Sequence, residues 1–506
     1  AAISLALLAG CGSAGGDQPQ EGGEPAVGGT LRVGVAEDLD AIDPSKARGE
    51  VASTWGALVY ETLVGITRDG EPAPGLAKTW TVSEDGLTYT FELDDATFHD
   101  GTPVTSEAVA WNFSRIGAPD SGASQQAFMA DIASMETPDP KTLIVHLKKP
   151  NGAFLSILSL QGRMGIQSPK NFDGDDMVAH IGSGPYTWES FTPNDRLVLK
   201  RYPDYWRGTP AYIETIEVRI LPDDNARLQA MARGELDMAW GIDAVQVNDY
   251  ANRGAFTVQE DRQNRGNFFS INVNKEPFDD VRLRRAMHMA VSRNDIAAAG
   301  WGGYAEPTNQ PFAKTSPWYV AGDFPVDADI EGAKRLVQQA GAEGTEVRIL
   351  VWDALGSEHE AQIVASAWTE IGLKPTIEKV DITTLVSKSI EGDFDVIYLW
   401  IGLITDPSRP YAYFHEGNVN NGLVGGLQLP ALTKAVDDAL ATSDFEERKE
   451  LYAQILKTNY EQAAQYYTVN PKIFVAVGPR VKGYEQGSYN VVYHGGGLPV
   501  AYLETK

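Results

Sequence analysis

EVRILVWDALGSEHEAQIVASAWTEIGLKPTIEKVDITTLVSKSIEGDFDVIYLWIG, residues 346–402, changes its apolar period four times. Val347 to Val351 is the near-continuous apolar run that a strand buried on both faces requires. From Ala361 to Ile371 the residues Val364, Trp368 and Ile371 fall on one helical face, and Gly372 can end that helix. Thr376 to Val380 predicts a second strand, Ile382 to Ile390 a second helix, and Phe394 to Trp400 a third strand with almost no polar residue. The order is βαβαβ, which builds a parallel sheet covered on both faces, and small molecules bind such sheets beyond the carboxyl ends of the strands. Trp352, Asp353 and Trp400 through Ile404 are therefore candidate cleft residues. Ordinary core packing is the competing expectation for each tryptophan.

Outward from this segment, strand-like runs dominate the first half of the chain: Leu31 to Ala36, Thr88 to Leu93, Thr142 to Leu147, Leu197 to Arg201 and Ile216 to Ile220. Helical signals dominate later. Asp279 or Asp280 can cap a stretch carrying Leu283, Ala286, Met287, Ala290 and Val291, and Ser443 with Glu446 makes a capping box before Leu451, Ile455 and Leu456. Residues 30 to 506 keep a globular composition with no second low-complexity linker and no internal repeat.

The 506 residues carry 42 Lys plus Arg against 69 Asp plus Glu, a net charge of −27. That sign repels the phosphate backbone, so nucleic acid is excluded as a partner. Catalytic spacings are missing too: the sequence has no HExxH, no GxSxG, no GxxxxGK[ST] and no GxGxxG after a strand. The seven histidines, His99, His146, His180, His288, His359, His415 and His494, include no i, i+4 pair that could hold a metal on a helix face. Neither a catalytic residue, a metal nor a cofactor is expected. The enzyme alternative is a secreted glycoside hydrolase, whose two carboxylates can be distant in sequence.

Cys11, the single cysteine, follows the apolar run Leu5 to Gly10, and the string LAGC at Leu8 to Cys11 resembles a bacterial lipobox. The resemblance implies that Cys11 carries a lipid and that residues 1–11 are signal peptide. Residues 12–29, GSAGGDQPQEGGEPAVGG, are too poor in apolar side chains to offset chain entropy, and are expected to form a flexible tether with a reach of roughly 25 Å. No run of 18 or more apolar residues occurs, so no spanning helix is expected.

The stretch PGLAKTWTVSEDGLTYTFELDDATFHDGTPVTSEAVAWNFSR, Pro74 to Arg115, resembles the signature region of family 5 extracellular solute-binding proteins, the dipeptide and oligopeptide receptors of bacterial ABC importers. Further similar blocks are GTLRVGVAEDLDAIDP from Gly29, GSGPY from Gly182, RYPDYWRGTPAYIETIEVRILPDDNARLQAMARGELDMA from Arg201, and FSINVNKEPFDDVRLRRAMHMAVSRNDI from Phe269. The resemblance implies an α/β, two-lobed periplasmic-binding-protein fold. Lobe one, with an extra subdomain, would span 30–267 plus 487–506, and lobe two 268–486. It implies a monomeric, lipid-anchored, extracytoplasmic receptor that captures a solute between its lobes and delivers it to the membrane subunits of an ABC permease. Within the signature block, Asp85 and Gly86 suit a turn, and Tyr89, Phe91 and Leu93 alternate as a half-buried strand, so this block is expected to be scaffold.

Dipeptide receptors of this family follow the third strand with a GWxxDxxDP-like segment, whose first Asp binds the ligand's amino group. Here Trp400, Ile401, Gly402, Leu403, Ile404, Thr405, Asp406 and Pro407 keep the final pair but carry Leu403 three residues earlier. The Arg that meets the ligand's carboxylate after the first strand is also missing from Asp353 to Glu358. An oligopeptide is the first expectation for the ligand, an oligosaccharide stacked on Trp240, Trp352 or Trp400 the second, and another small solute the third. Asp353 and Arg409 are the candidates for a charged ligand group, with Gly402 letting a backbone approach closely.

Overall fold

The computed structural model describes residues 25–68, 71–208, 211–242, 256–261, 265–322, 325–352, 357–401, 406–418, 420–485, 492–493 and 496–504. Two main sheets organise them. The first has seven strands in the order Tyr186–Thr192, Arg196–Arg201, Thr215–Ile220, Thr30–Val35, Met238–Ile242, Ile473–Val477, Thr257–Asp261. Thr30–Val35 pairs in parallel with both Thr215–Ile220 and Met238–Ile242. Leu31, Val33, Leu197, Leu199, Ile216 and Val218 are fully buried, the product of period-two alternation on a sheet with one packed face.

The second sheet has the order Lys374–Val380, Glu346–Trp352, Val396–Ile401, Gly266–Ile271, Gln465–Tyr467. Its first three strands are parallel and are joined by the helices Ser357–Glu370 and Ile382–Glu391, the order that the apolar periods of 346–402 predict. The first of these helices begins four residues before Ala361. Gly372 sits at φ 93°, and the Leu373 amide returns to the Trp368 carbonyl at 3.0 Å, closing the helix where only glycine is unstrained. Gly266–Ile271 adds antiparallel to Val396–Ile401, and Gln465–Tyr467 pairs antiparallel with Gly266–Ile271 at the sheet edge.

A third sheet of four antiparallel strands, Ala77–Val82, Thr88–Leu93, Thr142–Leu147 and Ile132–Asp139, forms the extra subdomain. Tyr89, Phe91 and Leu93 point into its core, and Asp85 accepts the Leu87 amide beside Gly86 at φ 67°. The signature block thus sits where scaffold is expected. Among the capped helices, Asp280 accepts the Arg282 amide at the start of Val281–Met289. The cap of Phe445–Gln462 is Asp444, which accepts the Glu447 amide at 2.9 Å, one residue beyond the expected Ser443 box. Aspartate caps as well as serine, so the frame moves by one without loss.

The chain crosses between the main sheets twice, between Asp261 and Gly266 and again between Tyr467 and Ile473. The second crossing corrects an expected boundary: Ile473–Val477 pairs with Met238–Ile242 and Thr257–Asp261 in the first sheet. The first lobe therefore regains the chain near residue 473, and 473–485 do not belong to the second. The two crossings are tied together by Asn470, whose Nδ2 donates to the Arg265 carbonyl at 2.9 Å, and by the Thr468 amide, which donates to the Asn267 carbonyl at 2.9 Å.

Candidate functional site

The strand register decides where the site lies. Trp352 ends its strand, Trp400 is next to last in its own, and Gly266 and Asn267 pair with Ile401 and Trp400 at the start of the neighbouring antiparallel strand. The carboxyl ends of the parallel strands therefore meet the first inter-sheet crossing. Gly266 permits this junction, because a Cβ there would stand 2.9 Å from Pro311 Cα and 3.0 Å from its carbonyl oxygen.

At this junction the Trp352 and Trp400 rings stack with centroids 5.8 Å apart and planes at 27°. The Arg265 guanidinium carbon lies 4.0 Å from the Trp400 ring centroid. Arg265 is 5% exposed, its Nε donates to Asn267 Oδ1 at 3.3 Å, and among the described residues no carboxylate forms an ion pair with it. A cation over an indole face gains about 2 kcal/mol when desolvated. That is less than the several kcal/mol that burying an unpaired charge costs. Arg265 Nη2, Trp352 Nε1, Trp400 Nε1 and Asn470 Oδ1 are all buried without a hydrogen-bond partner among the described residues.

Beneath Arg265 lies a closed polar network. Glu360 is fully buried on the helix Ser357–Glu370, and its Oε1 accepts from Asn267 Nδ2 at 2.6 Å, Trp301 Nε1 at 2.8 Å and Tyr398 Oη at 3.2 Å. Burial pushes this carboxyl above its ordinary range, against the pull of those hydrogen bonds. Thr468 Oγ1 lies 2.7 Å from Glu360 Oε2 and 3.2 Å from the Asn267 carbonyl. One hydroxyl hydrogen cannot serve both acceptors. The Asn267 carbonyl also takes the Thr468 amide, so the hydroxyl is available to Glu360 Oε2, and Asn267 is held in place beside Arg265.

Of the residues singled out from sequence, the structure brings Trp352 and Trp400 together. Trp240 packs edge-on against Trp55 and Tyr484, at 5.7 and 6.2 Å, in the core of the first sheet. Cys11, Asp353, Gly402 and Leu403 lie outside the described residues, as does the side chain of Arg409. Asp406, the surviving acid of the loop, is buried in a two-toothed ion pair with Arg448 at 2.8 and 2.9 Å and also accepts the Ser408 amide. It is bound internally and cannot face a ligand ammonium.

Arg265, Asn267, Glu360 and Asn470 escaped the sequence reasoning. Glu360 was legible, because it stands at i with Val364 at i+4 and Trp368 at i+8, a carboxylate on the apolar face of a helix. Arg265 offered no comparable signal, since its meaning depends on a crossing that only the fold reveals. Among the described residues no group of three or more His, Cys, Asp or Glu is placed to hold a metal, and no helix is long and apolar enough to cross a membrane. His99 is fully engaged, with Nε2 on the Gly184 carbonyl at 2.9 Å and Nδ1 accepting the Gly182 amide at 3.2 Å, and burial lowers its pKa to about 4.

The profile of "Bacterial extracellular solute-binding proteins, family 5 Middle" matches residues 71–422. The glutathione-binding protein GsiB of Salmonella typhi is 28% identical over 357 residues, 69% of each chain. The probable D,D-dipeptide-binding periplasmic protein DdpA of Escherichia coli K12 is 27% identical over 472 residues, 90% of this chain and 91% of that one. The ABC transporter-associated periplasmic binding protein DppA of Helicobacter pylori, solved with the peptide STSA, superposes with a TM-score of 0.84 over 95% of this chain and 99% of its own, at 23% identity.

Proposed function

Because the chain belongs to the bacterial extracellular solute-binding proteins of family 5, which are binding components of ABC importers and not enzymes, we propose that it captures an oligopeptide between its two lobes and hands it to a membrane permease. The observation that carries this is the cluster of buried polar atoms around the Trp352–Trp400 pair, where the lobes join, that have no partner among the described residues. Such groups cost free energy until something pairs with them, and peptide carbonyls and amides are suitable partners. The peptide named with the Helicobacter pylori protein and the dipeptide in the name of DdpA support the same ligand class.

A free dipeptide fits less well. Asp406 is committed to Arg448, and Leu403 stands where dipeptide receptors carry the acid for the amino group. A longer chain spreads its binding over backbone contacts and does not depend on that one ion pair. Oligosaccharide capture needs an open aromatic face, whereas Trp400 already has both Trp352 and Arg265 against it. Gly402, Leu403, Asp353 and Arg409 complete the proposed wall, as loop residues beyond the strand ends. Trp240 is proposed for the first-lobe side of the site.

The body is proposed to be an extracytoplasmic monomer, at the cell surface or in the periplasm, anchored to the cell membrane through a lipid on Cys11 and the 12–29 linker. Mass spectrometry of the purified protein, first native and then denatured, tests the ligand class. Release of peptides of three or more residues is the expected result, and release of neutral oligosaccharide alone would refute it. For the anchor, Cys11→Ala should move the protein from the membrane to the soluble fraction, and undiminished membrane association would overturn it.

A further inference from the structure

We propose that Arg265, held between the stacked tryptophans and the second crossing strand, is the seat of a ligand carboxylate; this rests on oligopeptide capture and specifies its chemistry. Among the described residues, three of the four unpartnered buried polar atoms here, Arg265 Nη2, Trp352 Nε1 and Trp400 Nε1, are donors, and Asn470 Oδ1 is the one acceptor. A site with that excess of donors, one of them cationic, calls for oxygen acceptors carrying negative charge. Among the described residues no acidic group pairs with Arg265: its one side-chain hydrogen bond there is the long one to Asn267, and Asn267 itself is fixed by Glu360.

The geometry suits a peptide end. Arg265 Nη2 can donate to a carboxylate oxygen while Asn470 Oδ1, whose amide nitrogen holds the Arg265 carbonyl, accepts the neighbouring ligand N–H. Arg265 lies in the first crossing segment and Asn470 in the second, so an anion there neutralises a charge at the pivot. Binding and the arrangement of the hinge would then be coupled through one ion pair.

Retention of synthetic peptide pools by the full chain tests this, using tri- to pentapeptides without Asp or Glu as free acids, the same pool as C-terminal amides, and an amidated pool containing one Glu. The parent is expected to retain free acids over neutral amides by about tenfold or more, and Arg265→Gln to abolish the preference. Recovery of binding by the Glu-bearing amides would assign the carboxylate to a side chain as well as to the terminus, still on Arg265. Equal retention of acids and neutral amides by the parent overturns the carboxylate seat and leaves oligopeptide capture standing. If no peptide is retained, oligopeptide capture falls, and oligogalacturonates against neutral galactose oligomers decide the seat: an Arg265-dependent preference for the acid supports it, and any other result overturns it. Should Arg265→Gln fail to fold, Arg265→Lys replaces it. Loss of the forked donor pair should then cut the preference several-fold, and an unchanged preference overturns the assignment.

Discussion

Trp400 and Glu360 divide the labour of the site between contact and support. Trp400 carries Trp352 and Arg265 on its ring, so Trp400→Ala removes a platform and frees the guanidinium, and should weaken ligand binding by about tenfold to a hundredfold in calorimetry. Glu360→Gln keeps three acceptor contacts on Oε1 and can donate to Thr468, so its stability at neutral pH should stay within about 1 kcal/mol of the parent. Glu360→Leu strands the Asn267, Trp301 and Tyr398 donors and should cost about 3 kcal/mol or more in denaturant unfolding. The sign of the pH dependence follows from a folded carboxyl raised above its ordinary pKa of 4.5. The folded state holds more protons than the unfolded one above that value, so stability contributed by Glu360 falls as pH rises through the window, and Glu360→Gln should remove this slope. The tryptophans were legible as candidates from their place at strand ends. Arg265 was not, because a single cation before an apolar strand gives no sign of whether an acid will meet it.

At the scale of elements, the apolar periods of 346–402 revealed three parallel strands and two helices, since each period has one geometry that buries it. The sheet that Ile473–Val477 joins could not be read in the same way. IFVAV fits a buried strand in either lobe, and its partners, Met238–Ile242 and Thr257–Asp261, lie more than two hundred residues earlier. The approach of Pro311 to Gly266 is equally invisible in sequence. Gly266→Ala puts a Cβ 2.9 Å from Pro311 Cα and 3.0 Å from its carbonyl oxygen, backbone atoms that cannot swing aside, so it should destabilise the protein by about 1–3 kcal/mol and displace Arg265. A drop in the unfolding midpoint together with weaker ligand binding checks this; a variant with both unchanged would show that the crossing is looser than its geometry.

Across the whole molecule, the extra subdomain reaches the second lobe at a place far from the crossings in sequence. The Gly152 amide donates to the Leu440 carbonyl at 2.8 Å, its carbonyl lies 3.4 Å from Arg448 Nη1, and a Cβ on Gly152 would stand 2.1 Å from the Thr442 carbonyl. Arg448 is also the partner of Asp406, so this contact and the ligand loop share one guanidinium. Rotation about the crossings relieves a clash here without unfolding either lobe. Gly152→Ala should therefore enlarge the radius of gyration in X-ray scattering and weaken ligand binding about tenfold, with little change in unfolding midpoint. The central claim is that a peptide longer than two residues is held where the lobes join, against Trp400. Calorimetry of the parent and Trp400→Ala with dipeptides and with tri- to pentapeptides tests it most directly. The longer peptides should bind the parent, dipeptides should bind about a hundredfold more weakly, and Trp400→Ala should lose most of the affinity for the longer ones; tight dipeptide binding that survives Trp400→Ala would contradict it.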